Sequence, residues 1–141
     1  MNDNELIEQA IRARELAYAP YSNFMVGAAL LTKDGKVYKG CNIENAGYSP
    51  SNCAERTAFF KAVSEGDLHF EAIAVAGWAK GANNNNPAFP CGVCRQVMME
   101  FCDPKTFRVL ITDSQNNVVA RTLEELLPHG FGPADLPNDQ T

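Results

Sequence analysis

Two short stretches, Ser51-Asn52-Cys53-Ala54-Glu55-Arg56 and Pro90-Cys91-Gly92-Val93-Cys94-Arg95, constrain this chain more than any other feature of it. The second holds a C-x-x-C pair, whose two sulfurs can reach a single ion, and the first offers a third thiol from a distant part of the sequence. If one metal uses all three, the fold must bring two remote helix starts together. Three thiolates suit zinc, at roughly 2.3 Å per bond, and they leave a tetrahedral ion one open position, as a catalytic site needs and a structural site avoids. Glu55, two residues from Cys53, then stands where a carboxylate can move protons for a metal-activated water.

Other readings of the same residues exist. A C-x-x-C pair alone is also half of a structural zinc ribbon, or a redox pair. A structural site wants a fourth ligand, and Cys41, Cys102, His69 and His129 are of the right types, but none has motif spacing to the others. Cys41 near a strand end and Cys102 on the inner side of a helix read as small buried apolar residues, and the two histidines as loop surface residues. Glu55 alone is a solvated helix position; its closeness to Cys53 reverses that. Arg56 is placed to donate to a ligand sulfur and offset the negative charge of three thiolates. Arg95 either helps in this or pairs with a surface acid.

Periodicity places these motifs on elements. Leu6, Ile7, Ala10, Ile11, Ala13, Arg14 and Ala17 put an apolar stripe on a helix over about Asn4 to Tyr18, ended by Pro20. Strands are expected at Phe24–Thr32 and near Lys36–Cys41, joined by a tight Asp34-Gly35 turn. Gly27 and the alanines after it lack bulk, so something packs closely on that strand. Next come a helix over about Asn52–Ser64, a buried strand at Ile73–Gly77 and a polar loop from Gly81 to Pro87. They are followed by a helix over Cys91–Phe101, strands at Arg108–Thr112 and Asn117–Ala120, and a short helix at Leu123–Leu127 opened by the capping box Thr122-x-x-Glu125. Strands interleaved with helices predict a three-layer α/β/α sandwich around a mixed five-stranded sheet. Cys53, Cys91 and Cys94 then fall in the first turns of two helices, where free N–H groups and the helix dipole favour thiolates.

Composition narrows the function. At 141 residues and 15.4 kDa, without repeats or an obvious linker, the sequence reads as one domain over 1–141, with about 134–141 a loose tail. Twelve Lys and Arg scattered among seventeen acids, for a net charge of −5, argue against a nucleic-acid partner and favour a small neutral ligand. No apolar run approaches a membrane span and the N-terminus carries no signal segment, so a cytoplasmic location is expected. Five cysteines, an odd count with a C-x-x-C pair, fit metal chemistry in a reducing compartment better than a disulfide framework.

The ligand-x-Glu followed by Pro-Cys-x-x-Cys is the signature of zinc deaminases acting on nucleobases. From about Glu5 to Leu136 the chain resembles the small homotetrameric cytidine deaminases of bacteria and animals. The similarity extends to Tyr18-Ala19-Pro20-Tyr21-Ser22-x-Phe24-x-Val26-Gly27-Ala28-Ala29-Leu30 and Gly40-Cys41-Asn42-Ile43-Glu44-Asn45-Ala46. It also takes in Cys53-Ala54-Glu55-Arg56-Thr57-Ala58 and Pro90-Cys91-Gly92-x-Cys94-Arg95-Gln96. The resemblance implies one zinc per chain on Cys53, Cys91 and Cys94, with Glu55 as proton shuttle. Phe24 would stack on the pyrimidine, Asn42 and Glu44 would bind the ribose hydroxyls, and the backbone at Ala54 would help read the base. Without the resemblance, Phe24 reads as a core residue and Asn42 and Glu44 as turn residues. The implied reaction is hydrolytic deamination of cytidine or 2′-deoxycytidine in pyrimidine salvage. A carboxylate in the sugar pocket would repel a substrate phosphate, favouring the free nucleoside.

Phe131, flanked by glycines in Leu127-Pro128-His129-Gly130-Phe131-Gly132, reads by itself as an anchor for the chain's own tail. The resemblance implies instead that it covers the base in a neighbouring subunit's pocket, within a homotetramer that shares its active sites. The stretch 83–86 makes the loop before Pro90 long for this family. Two rival functions remain: a deaminase of a nucleoside antibiotic such as blasticidin S, and a non-catalytic zinc-stabilised binding module.

Overall fold

The computed structural model describes residues 1–83 and 87–137. Helix α1 (Asp3–Arg14) opens with a capping box, the Asn2 side chain accepting from the Glu5 N–H while the Glu5 carboxylate accepts from the Asn2 N–H. It is followed by β1 (Phe24–Thr32), β2 (Val37–Cys41), α2 (Ala54–Ser64), β3 (Phe70–Ala79), α3 (Gly92–Phe101), β4 (Arg108–Thr112), β5 (Val118–Thr122) and α4 (Leu123–Leu126). The sheet runs β2-β1-β3-β4-β5. β3 and β4 are parallel, with α3 in the connection between them, and the other neighbours are antiparallel. The expected mixed five-stranded sheet between helical layers is the architecture found.

Strand alternation sorts the core into two faces. Ala29, Leu31, Ala72, Ala74, Ala76 and Leu110 pack under α1, on Leu6, Ile7 and Ala10. Ala28, Leu30, Ile73, Val75, Val109 and Ile111 face α2, α3 and α4, against Ala58, Phe59, Ala62, Met98 and Leu123. Glycine sets both helix approaches. A Cβ at Gly27 would lie 2.1 Å from the Ala10 carbonyl oxygen, and one at Gly40 would lie 2.5 Å from both the Ala54 carbonyl oxygen and the Ala58 nitrogen. The close packing expected at Gly27 is thus α1, and Gly40 presses the start of α2 onto β2 beside the thiol motif.

Besides shifts of one or two residues at β2, β5 and α4, three differences from the sequence reading bear on the site. The first helix stops at Arg14 rather than Tyr18, because Tyr18 is drawn into backbone pairing: its N–H donates to Asn42 at 2.9 Å and its carbonyl accepts from Glu44 at 2.8 Å. Leu16, beyond the helix, is 81% exposed. The buried strand runs Phe70–Ala79 rather than Ile73–Gly77, since it pairs along the full length of β1. Cys53 and Cys91 are N-caps, one residue before their helices rather than in the first turn. The tail after Pro133 begins with a 3₁₀ turn, Pro133–Asp135, while 84–86 and 138–141 lie outside the described residues. No helix among the described residues is long and apolar enough to cross a membrane.

Candidate active site

The two helix starts converge. Cys53 caps α2, Cys91 caps α3 and Cys94 lies in the first turn of α3; their sulfurs all fall within 4.8 Å of one another. Cys53 Sγ and Cys91 Sγ are 3.8 Å apart. Two sulfurs at about 2.3 Å from one tetrahedral zinc would be separated by about 3.8 Å, so the donor set fits that ion in type and in spacing. Cys41 and Cys102 stand apart from the cluster, and His69 and His129 are exposed.

The charges around the thiols are consistent with this. A hydrogen bond from Cys94 draws the Cys53 thiol down to about 5, with Arg56 and Cys91 adding to the pull against the effect of burial. Cys94 moves up, first because its proton is shared toward Cys53 and then because it is buried. Metal binding displaces such protons. Arg56 donates from one guanidinium nitrogen to Cys53 Sγ at 3.3 Å. Burial works against its charge, but hydrogen bonds to Cys53 and Cys94 outweigh that and raise its pKa. Its Nε–H is buried without a partner among the described residues. Among the described residues, Arg95 meets neither a ligand sulfur nor a surface acid. It donates to the carbonyls of Pro90 at 2.7 Å and Leu126 at 2.6 Å, tying the start of α3 to the end of α4.

Glu55 follows the cap by two residues and is only 4% exposed. Burial pushes its carboxyl up to about 7, with the Cys53 charge adding to the shift, so it sits where a proton acceptor and donor for neutral-pH chemistry should be. It lines a cavity of about 490 Å³ together with Phe24, Asn42, Glu44, Cys53, Ala54, Arg56 and Cys91. That volume is in the range of small-ligand sites. Ala54 brings to it the open N-terminal turn of α2.

Asn42 and Glu44 are already engaged with the chain. The Asn42 side chain accepts from the Val26 N–H at 2.9 Å and donates to the Phe24 carbonyl at 2.8 Å, continuing the β1–β2 ladder with an amide in place of backbone. Each of its polar atoms keeps one further bonding position. The Glu44 carboxylate accepts from the N–H groups of Tyr21 at 3.0 Å and Ser22 at 3.1 Å and from the Ser22 hydroxyl. The hydroxyl is the main reason its carboxyl lies below the usual range. Phe131 is not among the residues lining the cavity of its own chain; it is 56% exposed, with its carbonyl accepting from the Gln96 side chain on α3.

Val26, Ser51, Asn52, Val75, Pro87, Ala88 and Phe89 complete the lining and were not singled out from the sequence. Val26 was within reach, since it shares the Phe24 face of β1 by alternation. Ser51, Asn52 and the 87–89 stretch flank the thiol motifs but carry no chemistry of their own to mark them.

Three convergent thiols, two of them lining a cavity, with a buried carboxylate alongside, define a hydrolytic metal centre of the zinc type. Residues 1–110 match the family described as the cytidine and deoxycytidylate deaminase zinc-binding region, and the chain belongs to that family. It is 52% identical over 136 residues to the cytidine deaminase of Halalkalibacterium halodurans, covering 96% of this chain and 98% of that one. It is 50% identical over 136 residues to that of Sporosarcina psychrophila, covering 96% of each. The crystal structure of cytidine deaminase from Burkholderia pseudomallei superposes with a TM-score of 0.83 at 53% identity, covering 93% of this chain and all of that one.

Proposed function

We propose that this protein hydrolyses cytidine and 2′-deoxycytidine to the corresponding uridines with release of ammonia. The observation that carries the reading is the buried Glu55 carboxyl held beside three convergent thiols at the floor of a nucleoside-sized cavity. One zinc per chain, on Cys53, Cys91 and Cys94, would supply the Lewis acidity that makes a water molecule nucleophilic at neutral pH. Glu55 accepts a proton from the attacking water and passes it to the ring nitrogen beside the attacked carbon, then moves the second proton, from the hydroxyl added at that carbon, to the departing amine. A carboxyl near 7 is suited to both directions of that traffic. Arg56, donating to Cys53, limits the negative charge of the thiolate set.

The rest of the cavity binds and orients. Phe24 stacks on the pyrimidine, the backbone at Ala54 reads the base edge, and Asn42 and Glu44 use their remaining positions on the ribose hydroxyls. The Glu44 charge disfavours a phosphorylated sugar. Phe131 closes the site of a neighbouring subunit in a homotetramer, a reading supported by its exposure and by its not lining the cavity of its own chain. Five free cysteines suit a reducing cytoplasm, and deamination of free nucleosides gives the reaction a place in pyrimidine salvage.

The deciding experiment incubates the purified zinc-loaded protein with cytidine, 2′-deoxycytidine and blasticidin S, following ammonia and the pyrimidine absorbance. Turnover of the two nucleosides is expected. Turnover of blasticidin S alone would transfer the site to the antibiotic, and no turnover of any of the three would leave a zinc-stabilised binding module.

A further inference from the structure

The segment that carries Phe131 is fastened to α3 at the Phe131 carbonyl and at the next residue, Gly132. The Gln96 side-chain amide donates to the Phe131 carbonyl at 2.8 Å. One residue on, Gly132 lies flat against the same helix: a Cβ there would meet Met99 Cε at 3.0 Å and the Met99 carbonyl oxygen at 3.3 Å. The Gly132 N–H donates to the Asp135 carboxylate at 2.9 Å, closing the 3₁₀ turn. Upstream, His129 takes a left-handed conformation with φ 56°, and Gly130 packs so tightly on Leu127 that a Cβ would lie 2.9 Å from Cδ2. Contacts hold the backbone at 130, 131, 132 and 135, while Phe131 among them is 56% exposed. An exposed aromatic on a fixed backbone has little conformational freedom left to lose on docking, which is how interface anchors gain strength.

Gln96 does not line the cavity, and it stands two residues past the buried Cys94, about 200° around the helix. The helix therefore presents a metal ligand inward and the mount for Phe131 outward. The geometry points to Gln96 as a positioning residue for deamination, acting by presenting its own chain's Phe131 to the cavity of a second copy. This rests on the shared-site reading above.

Gln96→Met keeps side-chain length and removes the donor. The purified variant should hold normal zinc and tetramer size while KM for cytidine rises roughly 3- to 10-fold, the range of one lost hydrogen bond, with kcat changing less. Gly132→Ala, which lifts the same segment off Met99, should act in the same direction.

Mixed tetramers locate the effect. Chains carrying Glu55→Gln donate an intact Phe131 but have a dead site, and chains carrying Phe131→Ala have an intact site but donate no ring. Co-expressed, they should recover low-KM activity that neither has alone. Adding Gln96→Met to the ring-donating chain should raise the KM of the recovered activity, whereas adding it to the chain that supplies Glu55 should not. An effect that follows the Glu55-bearing chain, or no effect on either, would overturn the positioning role while leaving the shared site standing. No recovery in the first mixture would overturn the shared site and this inference with it.

Discussion

The floor and the rim of the cavity are built in different ways. At the floor, Cys53, Glu55 and Arg56 come from one helix start and Cys91 and Cys94 from another, all within one chain, with Glu55 and Cys94 buried. Polar groups there answer one another, thiol to thiol and guanidinium to sulfur. At the rim, Phe24, Tyr21, Tyr48 and Phe89 are exposed, Tyr48 by 77%. A second hollow of about 310 Å³, lined by Tyr21, Tyr48 and Asn45, shares Glu44 and Ser51 with the main cavity. Aromatic surface gathered around a site is what a protein leaves open where something else will cover it. The difference matches the proposed division of labour, with the bond-breaking groups supplied by one chain and the open rim left for a second copy to cover.

Substitutions at the floor should therefore act on chemistry, and the largest effect is expected at Glu55. Glu55→Gln should keep fold and zinc and lose about 10²- to 10⁴-fold in kcat, the usual worth of general acid–base help. A loss under tenfold would give the proton work to another group. Metal analysis should show Cys53→Ala losing zinc and Cys102→Ala keeping it, since Cys102 lies outside the thiol cluster. Zinc loss in the Cys102 variant would break the assignment of the floor to three thiols.

Arg56 ranks next. Arg56→Gln should retain zinc but slow turnover roughly 10- to 100-fold, as changes to groups supporting metal ligands commonly do. Its activity–pH profile should move to higher pH, because uncompensated negative charge among the sulfurs weakens the pull of the metal on water. An unmoved profile would reduce Arg56 to packing. At the rim, Phe131→Ala should raise KM by roughly tenfold or more with zinc unchanged, in line with the loss of an aromatic anchor. A fully active monomer on sizing at low concentration would show that the rim is complete in one chain.

How far the sequence could be read follows the same division. Cys91 with Cys94, and Cys53 with Glu55, were legible because each pair sits at one helix start, where local geometry dictates which atoms share a direction; that Cys53 joins Cys91, 38 residues away, was legible through the motif resemblance. The close approach at Gly27 was legible for a similar reason, as a run of small residues in a strand. The tertiary engagements were not. Asn42 bonds to Phe24 and Val26, 18 and 16 residues away, and nothing in the local pattern marks an asparagine that completes a ladder. Arg14 looked like one more position on a helical stripe. It is buried, with its guanidinium 3.9 Å over the Trp78 ring and donating to the Met25 and Trp78 carbonyls, because β1 and β3 pass beneath the end of α1. Arg95 likewise turned to carbonyls that only the folded α3–α4 corner supplies. Phe131 is the extreme case, since its expected partner is on another chain.

The smallest effect is expected at Glu44, which the chain, as with Asn42, has already organised for itself. Its carboxylate is held below the usual range first by the Ser22 hydroxyl, then by the Ser22 and Tyr21 N–H groups. A carboxyl whose pKa is lower folded than unfolded adds stability above the unfolded value, about 4.3 for glutamate, and that stability fades as pH falls through the folded value. Ser22→Ala should therefore return the Glu44 titration, followed by carboxyl-carbon NMR, toward the ordinary range. Any stability difference from the wild type should shrink toward zero at acid pH, where both carboxyls are protonated. Because two backbone donors remain, the KM for cytidine should change by only about twofold, as expected for one exposed hydrogen bond. An unmoved Glu44 titration would mean that the backbone alone holds the carboxylate. A KM change as large as that of Phe131→Ala would mean that Ser22 itself meets the sugar, and the rim would then be less dependent on a second chain than the comparison with the floor implies.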